Sequence, residues 1–344
     1  MIKIYSNKIK ESVDVQFENI IIDTEPNSFG LNKTAVPMGI RGLNTRVEEI
    51  LTEVVFAMTN PIERIKLSIS INGVIITREV KPIHLLDYND IYWASTVYDV
   101  TELLKNRLDP MYQKLKIYYQ GNDIKILGYL SMLAVYDAND MESTYTYAAG
   151  LEKIYENQVY RSPRNIKSEQ GKHTDLLVSS LMVYSPASFN TLEVCKTNKG
   201  CVNIPLKHGF TDLKFRNAYI REVSLKKHSK AREHHVLLTN YFNLFSSTNI
   251  PKFELVKYVK RHSQDGSTIV NIEFSVIDGS EGIAQFILID EGIPIGRQRR
   301  KVKPGSTINL YFKSENDLIM PIVRILFFKH SKSWIFDYYL EKDK

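Results

Sequence analysis

The sequence predicts an all-β chain folded as two β-sandwich domains, and three features predict it. Residues that suit a pleated, half-buried surface are abundant: 20 Tyr and 15 Phe stand beside only 2 Trp. Short apolar alternations recur between turn residues, as at Leu67, Ile69 and Ile71 before Asn72-Gly73. No segment of convincing length places its apolar residues at the helical period, and alternating strand–helix units are absent, which argues against doubly wound and barrel α/β folds. At 344 residues the chain is long enough for two cores.

Taken in order, IKIY and VDVQFENIII (within 1–22) read as strands, the second alternating at Val13, Val15 and Phe17. Residues 23–45 read as a long loop, with two Pro and three Gly. EEILTEVVFAMTN (48–60) suits a helix by propensity and a buried strand by Val54, Val55 and Phe56. RIKLSISINGVIITREV (64–80) is a hairpin turning at Asn72-Gly73. KLKIYYQ (114–120) and IKILGYLSMLAVYD (124–137) are strands. The pattern then weakens, with either a short helix or an irregular strand over 147–160. The polar stretch SPRNIKSEQGKH reads as a linker. The expected division is a first sandwich over 1–160, a linker at 161–173 and a second sandwich over 174–344. From 251 onward, six strand segments separated by QDGS, DGSEG, DEGIP, KPGS and KSEND form the most regular part of the chain.

One stretch changes period. WASTVYDVTELLK (93–105) begins as a strand and ends as a helical turn. Asp99 or Thr101 can accept the free amides of that turn, Glu102 favours its dipole, and Leu103 and Leu104 can plug one end of a sheet pair. The expected role is to carry the chain from one sheet to the other. The D-V-T-E-L-L motif and its flanking strands, clearest over 64–137, resemble the strand–turn–strand element of jelly-roll sandwiches. That element recurs in carbohydrate-binding modules and archaeal surface adhesion domains. NRLDPMYQ stands where many such modules carry a Gly-x-Asn turn. Over 268–328, IEFSVIDGSEG and PGSTINLYF resemble an immunoglobulin-like domain of prokaryotic surface proteins. The resemblances imply a jelly-roll-like N-terminal sandwich and a jelly-roll or immunoglobulin-like C-terminal one, strongest at 251–344.

Candidate sites are few. Cys195 and Cys201 bracket CKTNKGC, whose Asn198, Lys199 and Gly200 supply turn chemistry. The two can face each other across a hairpin, as a disulfide or as two free thiols, and by themselves they make a poor zinc site. Arg297, Arg299, Arg300 and Lys301 form a basic run. Strand alternation sets Arg297, Arg299 and Lys301 on one face and Arg300 on the other, either as an anion-binding patch or as a charged edge strand that blocks unwanted pairing. His228, His234 and His235 with Glu233 lie in a polar stretch better read as a solvated loop than as a metal frame. Asp137, Asn139 and Asp140 are close oxygen ligands, but the glycine and terminal glutamate of a calcium loop are missing. Asp278 and Glu281 read as turn acids. No nucleophile elbow or phosphate-binding loop occurs. No metal, cofactor or catalytic residue is expected.

A formal charge of +6 permits contact with an anion without requiring one, so nucleic acid is expected as a weak contact at most. No apolar run approaches the roughly 20 residues of a membrane span. The N-terminal stretch lacks an apolar signal core and a cleavage site, so the expectation is synthesis in the host cytoplasm. Two sandwiches, no signal and many Tyr, Ile and Lys resemble the structural proteins of archaeal icosahedral viruses, whose capsid and turret components use single or double jelly rolls. That resemblance implies a non-enzymatic virion protein that self-assembles, with homo-oligomers or other structural proteins as partners. The alternative is a glycan-binding or adhesion module.

Overall fold

A computed structural model describes residues 1–21, 31–36, 46–58, 66–77, 83–88, 91–107, 113–120, 126–162, 176–186, 188, 190–196, 200–216, 220–226 and 235–340. The chain is all-β, with one short helix, Thr101–Leu104, among the described residues. It divides into two compact units, Met1–Ser246 and Ser247–Lys344. The division expected at 161–173 is therefore not where the units part, and residues 163–173 themselves lie outside the described ones.

The larger unit is organised by one strand, Ile126–Tyr155, of 30 residues. Strand Ile2–Ile21 pairs with it antiparallel along most of its length. Both turn a corner together. Glu11 pairs with Glu142 and Val13 with Asp137, so the long strand bulges outward over 138–141, with Asp140 at φ 63°. Before the corner, the long strand is flanked by Val13–Ile21 on one edge and by Val47–Ala57 on the other. Both edges are then used, so its other neighbour, His235–Thr248, joins beyond the corner, where Ser143 Oγ lies 3.1 Å from Ser246 Oγ.

This arrangement makes two jelly rolls from one unit. A jelly roll sets eight consecutive strands into two sheets ordered 1-8-3-6 and 2-7-4-5. In the first roll the sheet of strands 1-8-3-6 is Ile2–Ile21, Ile126–Tyr155, Val47–Met58 and Ile91–Asp99, with His84–Tyr88 added at its edge. Its partner sheet is Leu31–Val36, Gln113–Gln120, Lys66–Ile71 and Val74–Thr77. In the second roll, Ile126–Tyr155 serves again, now as strand 1 beside His235–Thr248, Leu176–Ser185 and Gly209–Arg216. Its partner sheet is Val159–Arg161, Ile220–Lys226, Thr191–Lys196 and Gly200–Pro205. The boundary between the rolls thus falls inside a continuous strand. Leu31–Val36 is a strand within the stretch expected to be loop, and the ambiguous 48–60 is strand Val47–Met58.

Each roll has its own core. Ile50, Val54, Phe56, Leu130 and Met132 meet Ile69 and Ile71 in the first. Leu181, Val183, Val236 and Leu238 meet Leu192, Val194, Val223 and Leu225 in the second. The element at 93–105 behaves as its residues require. Strand Ile91–Asp99 lies in one sheet of the first roll and Gln113–Gln120 in the other, and the helix joins them. Asp99 Oδ1 accepts from Thr101 N at 3.0 Å and from Thr101 Oγ1 at 2.6 Å, while Thr101 Oγ1 accepts from Ile50 N at 2.9 Å. Leu104 alone plugs the core; Leu103 is exposed.

The two 1-8-3-6 sets are halves of one eight-stranded sheet whose opposite faces are buried against each other, which makes the unit four layers deep. Phe17 stacks on Phe242 at 4.3 Å, and Trp93 meets Tyr184 at 4.6 Å. Among these rings sits a fully buried carboxylate, Glu53. Ser95 Oγ (2.7 Å), Tyr129 OH (2.8 Å) and Ser131 Oγ (3.3 Å) donate to it from the first roll, and Tyr147 OH (3.1 Å) and Asn240 Nδ2 (3.2 Å) from the second. Asn240 Nδ2 also donates to Asn19 Oδ1 at 3.0 Å, and Asn19 Nδ2 to Ser180 Oγ at 3.2 Å.

The smaller unit is a seven-stranded immunoglobulin-like sandwich. Its first, second and fifth strands, Lys252–His262, Thr268–Asp278 and Thr307–Ser314, form one sheet. The other is ordered Ile293–Val302, Gly282–Asp290, Pro321–Lys329 and Lys332–Tyr339. Phe253, Phe274, Phe286, Phe312, Phe327 and Trp334 fill the space between. The sequence segment 283–302 is two strands rather than one. Glu291 and Gly292, at φ 47° and 84°, make the two-residue hairpin turn between them.

Burial pushes the Glu53 carboxyl up to about 7, although its hydrogen bonds to Ser95, Tyr129, Asn240 and Tyr147 pull the other way. A carboxyl raised above its unfolded value near 4.3 contributes stability fully below that value and loses it as pH rises through about 7. Unfolding free energy should therefore fall between about pH 4 and 7, by about 4 kcal/mol at most. Denaturant titrations across that range should show Glu53→Gln with a flatter profile and greater stability than wild type at alkaline pH. Parallel profiles would contradict the assignment.

Candidate interaction surface

The basic run occupies an edge. Strand Ile293–Val302 is last in its sheet and pairs there only with Gly282–Asp290. In register, Arg297 faces Ile287, Arg299 faces Gln285 and Lys301 faces Ile283, all outward, whereas Arg300 faces buried Ala284. The alternation expected from the sequence is thus the arrangement observed. Arg297, Arg299, Arg300 and Lys301 are all exposed. Arg300 donates to Gln298 Oε1 and to Arg299 O. Lys301 Nζ lies 3.6 Å from Glu281 Oε2, and Lys303 Nζ 4.0 Å from Glu281 Oε1. Arg297 and Arg299 have no acidic partner among the described residues. A depression of about 540 Å³ opens beside them, lined by Glu281, Gly282, Ile283, Arg299, Arg300 and Lys301.

The outer face of the same sheet is apolar at its centre. Rows across the strands read Lys301–Ile283–Phe328–Ser333, Arg299–Gln285–Leu326–Ile335 and Arg297–Ile287–Arg324–Asp337. Ile335 is 62% exposed and Ile283 39%. At the far edge Arg324 holds Asp337 bidentately, both bonds 2.8 Å, and draws the Asp337 carboxyl below its ordinary range. The face therefore runs from Arg297 and Arg299, which have no acidic partner among the described residues, across an apolar centre to a neutral ion pair. Sequence reasoning identified the cations and missed the apolar centre, because Ile283, Leu326 and Ile335 read as ordinary members of alternating core strands.

The other candidates resolve differently. Cys195 and Cys201 are paired directly opposite each other in the hairpin Thr191–Pro205 and form a disulfide, so the alternative of free thiols is not the one observed. Glu193 is close by, making the three a cluster of ligand types within 4.8 Å, but its carboxylate is held by Lys226 at 2.5 Å and disulfide sulfurs are not thiolate ligands. His235 is a core residue. Its carbonyl accepts from Tyr88 OH at 3.2 Å and its ring packs edge-on against the Tyr88 ring at 4.4 Å. His228, Glu233 and His234 lie outside the described residues. Asp137 and Asp140 belong to the corner of the long strand, and burial beside Glu48 raises the Asp137 carboxyl. Besides Glu53, two more buried acids lie inside the larger unit with their own donors. Glu49 takes Lys8 Nζ and Tyr145 OH, each at 2.7 Å, and Asp14 takes Tyr136 OH at 2.8 Å.

No family model and no curated relative matches the chain. Among solved structures it is similar to a β-glucuronidase of Parabacteroides merdae, at 9% identity and a TM-score of 0.23, over 57% of this chain and 28% of that one. It is similar to a Bifidobacterium dentium β-glucuronidase at 6% identity and 0.22, over 57% and 39%. A Dictyoglomus thermophilum β-D-glucuronidase matches at 8% identity and 0.20, over 97% and 44%. The chain spans less than half the length of each. At these TM-scores the likenesses bear on neither topology nor function. No helix among the described residues is long and apolar enough to cross a membrane.

The hairpin disulfide closes a short loop, its cysteines six positions apart in sequence. Loop-closure entropy at that length is worth about 2 kcal/mol. Reduction, or joint replacement of Cys195→Ser and Cys201→Ser, should lower unfolding free energy by that amount. Mass measurement after thiol labelling under non-reducing conditions should find both cysteines blocked.

Proposed function

We propose that this chain is a non-enzymatic structural protein that acts by assembly, as a capsid or turret component of an archaeal virus. The observation that carries the reading is the double jelly roll itself. Two rolls share one strand and bury their 1-8-3-6 sheets against each other, a construction suited to a stiff building block. Its buried acids are enclosed and hydrogen-bonded rather than set in an open cleft, which suits stability more than turnover. Jelly rolls occur in viral capsids and in lectins alike, so fold alone does not choose between them. The virion assignment extends the sequence resemblance described above, and the outer face of the smaller unit supports an assembly role by offering cations and apolar groups together.

Light scattering and electron microscopy of the purified protein test the reading. Defined oligomers or particles that grow with concentration are the expected result. A protein that stays monomeric throughout and joins no purified virion component contradicts it. Selective retention on a glycan array would transfer the assignment to the glycan-binding alternative.

A further inference from the structure

We infer that the open edge of strand Ile293–Val302 is a docking site for an extended segment of a partner protein that carries acidic residues at alternate positions. The inference concerns the partner of the proposed assembly and rests on that reading only in needing a second polypeptide.

Three observations converge on it. The strand ends its sheet, so alternate backbone N–H and C=O groups face away from Gly282–Asp290. An incoming strand satisfies such groups, which is the basis of recognition by strand addition. Next, Arg297, Arg299 and Lys301 project from one face of this strand, and residues two apart in a strand are spaced by about 6.6 Å. An added strand has the same repeat, so carboxylates at every second residue meet these cations one for one. Finally, the depression lined by Glu281, Gly282, Ile283, Arg299, Arg300 and Lys301 adjoins the cationic end, with room for a large apolar side chain.

The same residues exclude the competing occupants. A second copy of this strand would bring its own arginines against these, and like charges directly opposite are destabilising. A nucleic acid would meet the cations but has no amide backbone for the open edge. Pro294 removes one donor at the start of the strand, so the incoming segment is placed along Gly296–Val302.

The test uses the full chain and a fluorescent peptide alternating Glu with Val. Anisotropy should show saturable binding. A peptide of equal composition with its Glu residues contiguous should bind roughly tenfold more weakly, equivalent to about 1.4 kcal/mol. The joint substitution Arg297→Glu, Arg299→Glu and Lys301→Glu should abolish binding of the Glu peptide and create binding of a Lys–Val counterpart. That gain also shows the variant to be folded. Hydrogen exchange should protect amides within Gly296–Val302 when the peptide is present. The inference is overturned by equal binding of the alternating and contiguous peptides, by tighter binding of single-stranded DNA of matched charge, or by protection elsewhere. A chain that assembles but fails the peptide test keeps the assembly reading and loses this docking site. A chain that binds the peptide but never assembles keeps the site and loses the assembly reading.

Discussion

The larger unit depends on the pairing of Ile2–Ile21 with Ile126–Tyr155. Thirty residues of strand extend for about 100 Å at about 3.3 Å per residue, well beyond the five or six residues of a typical strand. One sandwich cannot bury such a length. The bulge at 138–141 turns it back, and each arm then serves a separate jelly roll. Because the strand is covalently continuous and both arms pair with one N-terminal strand, neither roll can drift in register without the other. The corner also decides which faces meet. It brings the faces bearing Phe17, Glu53 and Trp93 against those bearing Tyr147, Tyr184 and Phe242.

That contact is not purely apolar, and its polar members have a particular geometry. Glu53 has no cation beside it among the described residues. Its neighbours are hydroxyls and one amide, drawn from both rolls. A buried carboxyl in such a setting is costly when ionised and inexpensive when protonated, which is why burial dominates its pKa. Slippage of either sheet by one residue would turn Tyr147 or Asn240 away and strand the carboxyl without donors, a penalty larger than that of misplacing an apolar side chain. Glu49 and Asp14 likewise accept from buried tyrosines, Tyr145 and Tyr136, and Glu49 has Lys8 beside it as well. The many tyrosines of the composition are thus spent partly inside, where a ring fills space and its hydroxyl supplies a donor.

This arrangement explains which features the sequence disclosed. Asn72-Gly73 and the Asp99–Thr101 turn were legible because each is local: positive φ at the first and a side chain two residues from its amide at the second. The alternation of Arg297, Arg299 and Lys301 was legible because one side of that strand faces water. Alternation fails as a signal where both faces are buried, as in Tyr129–Tyr136, which reads as nearly continuous apolar residues. It fails again beyond the corner, where Ser143, Thr144 and Thr146 are buried polar residues. Glu49 and Glu53 left 48–60 open between helix and buried strand, since a carboxylate in a strand core is not what patterning anticipates. The boundary between the rolls left no Pro- or Gly-rich trace because no linker exists there. The polar stretch at 161–173 looked like one because it follows Val159–Arg161, the second strand of the second roll.

Edges are the remaining constraint on an all-β chain, since every open sheet edge invites pairing. The larger unit covers part of its exposure with covalent and ionic ties: a disulfide across the hairpin containing edge strand Gly200–Pro205, and Lys214 of edge strand Gly209–Arg216 held to Glu18 at 2.9 Å. In the smaller unit, edge strand Lys252–His262 bulges at Val256, and its partner strand skips Ile277 opposite its start. Edge strand Ile293–Val302 is protected differently, by Pro294 and by cations on its outward face. Charge differs from a bulge or a crosslink in being selective. A bulge spoils the edge for every partner, whereas a row of like cations repels copies of itself and attracts a chain of opposite sign. The device that keeps this edge from self-association is therefore also one that can specify a partner, and the sign of the charge on that partner follows from Arg297 and Arg299 having no acid of their own among the described residues.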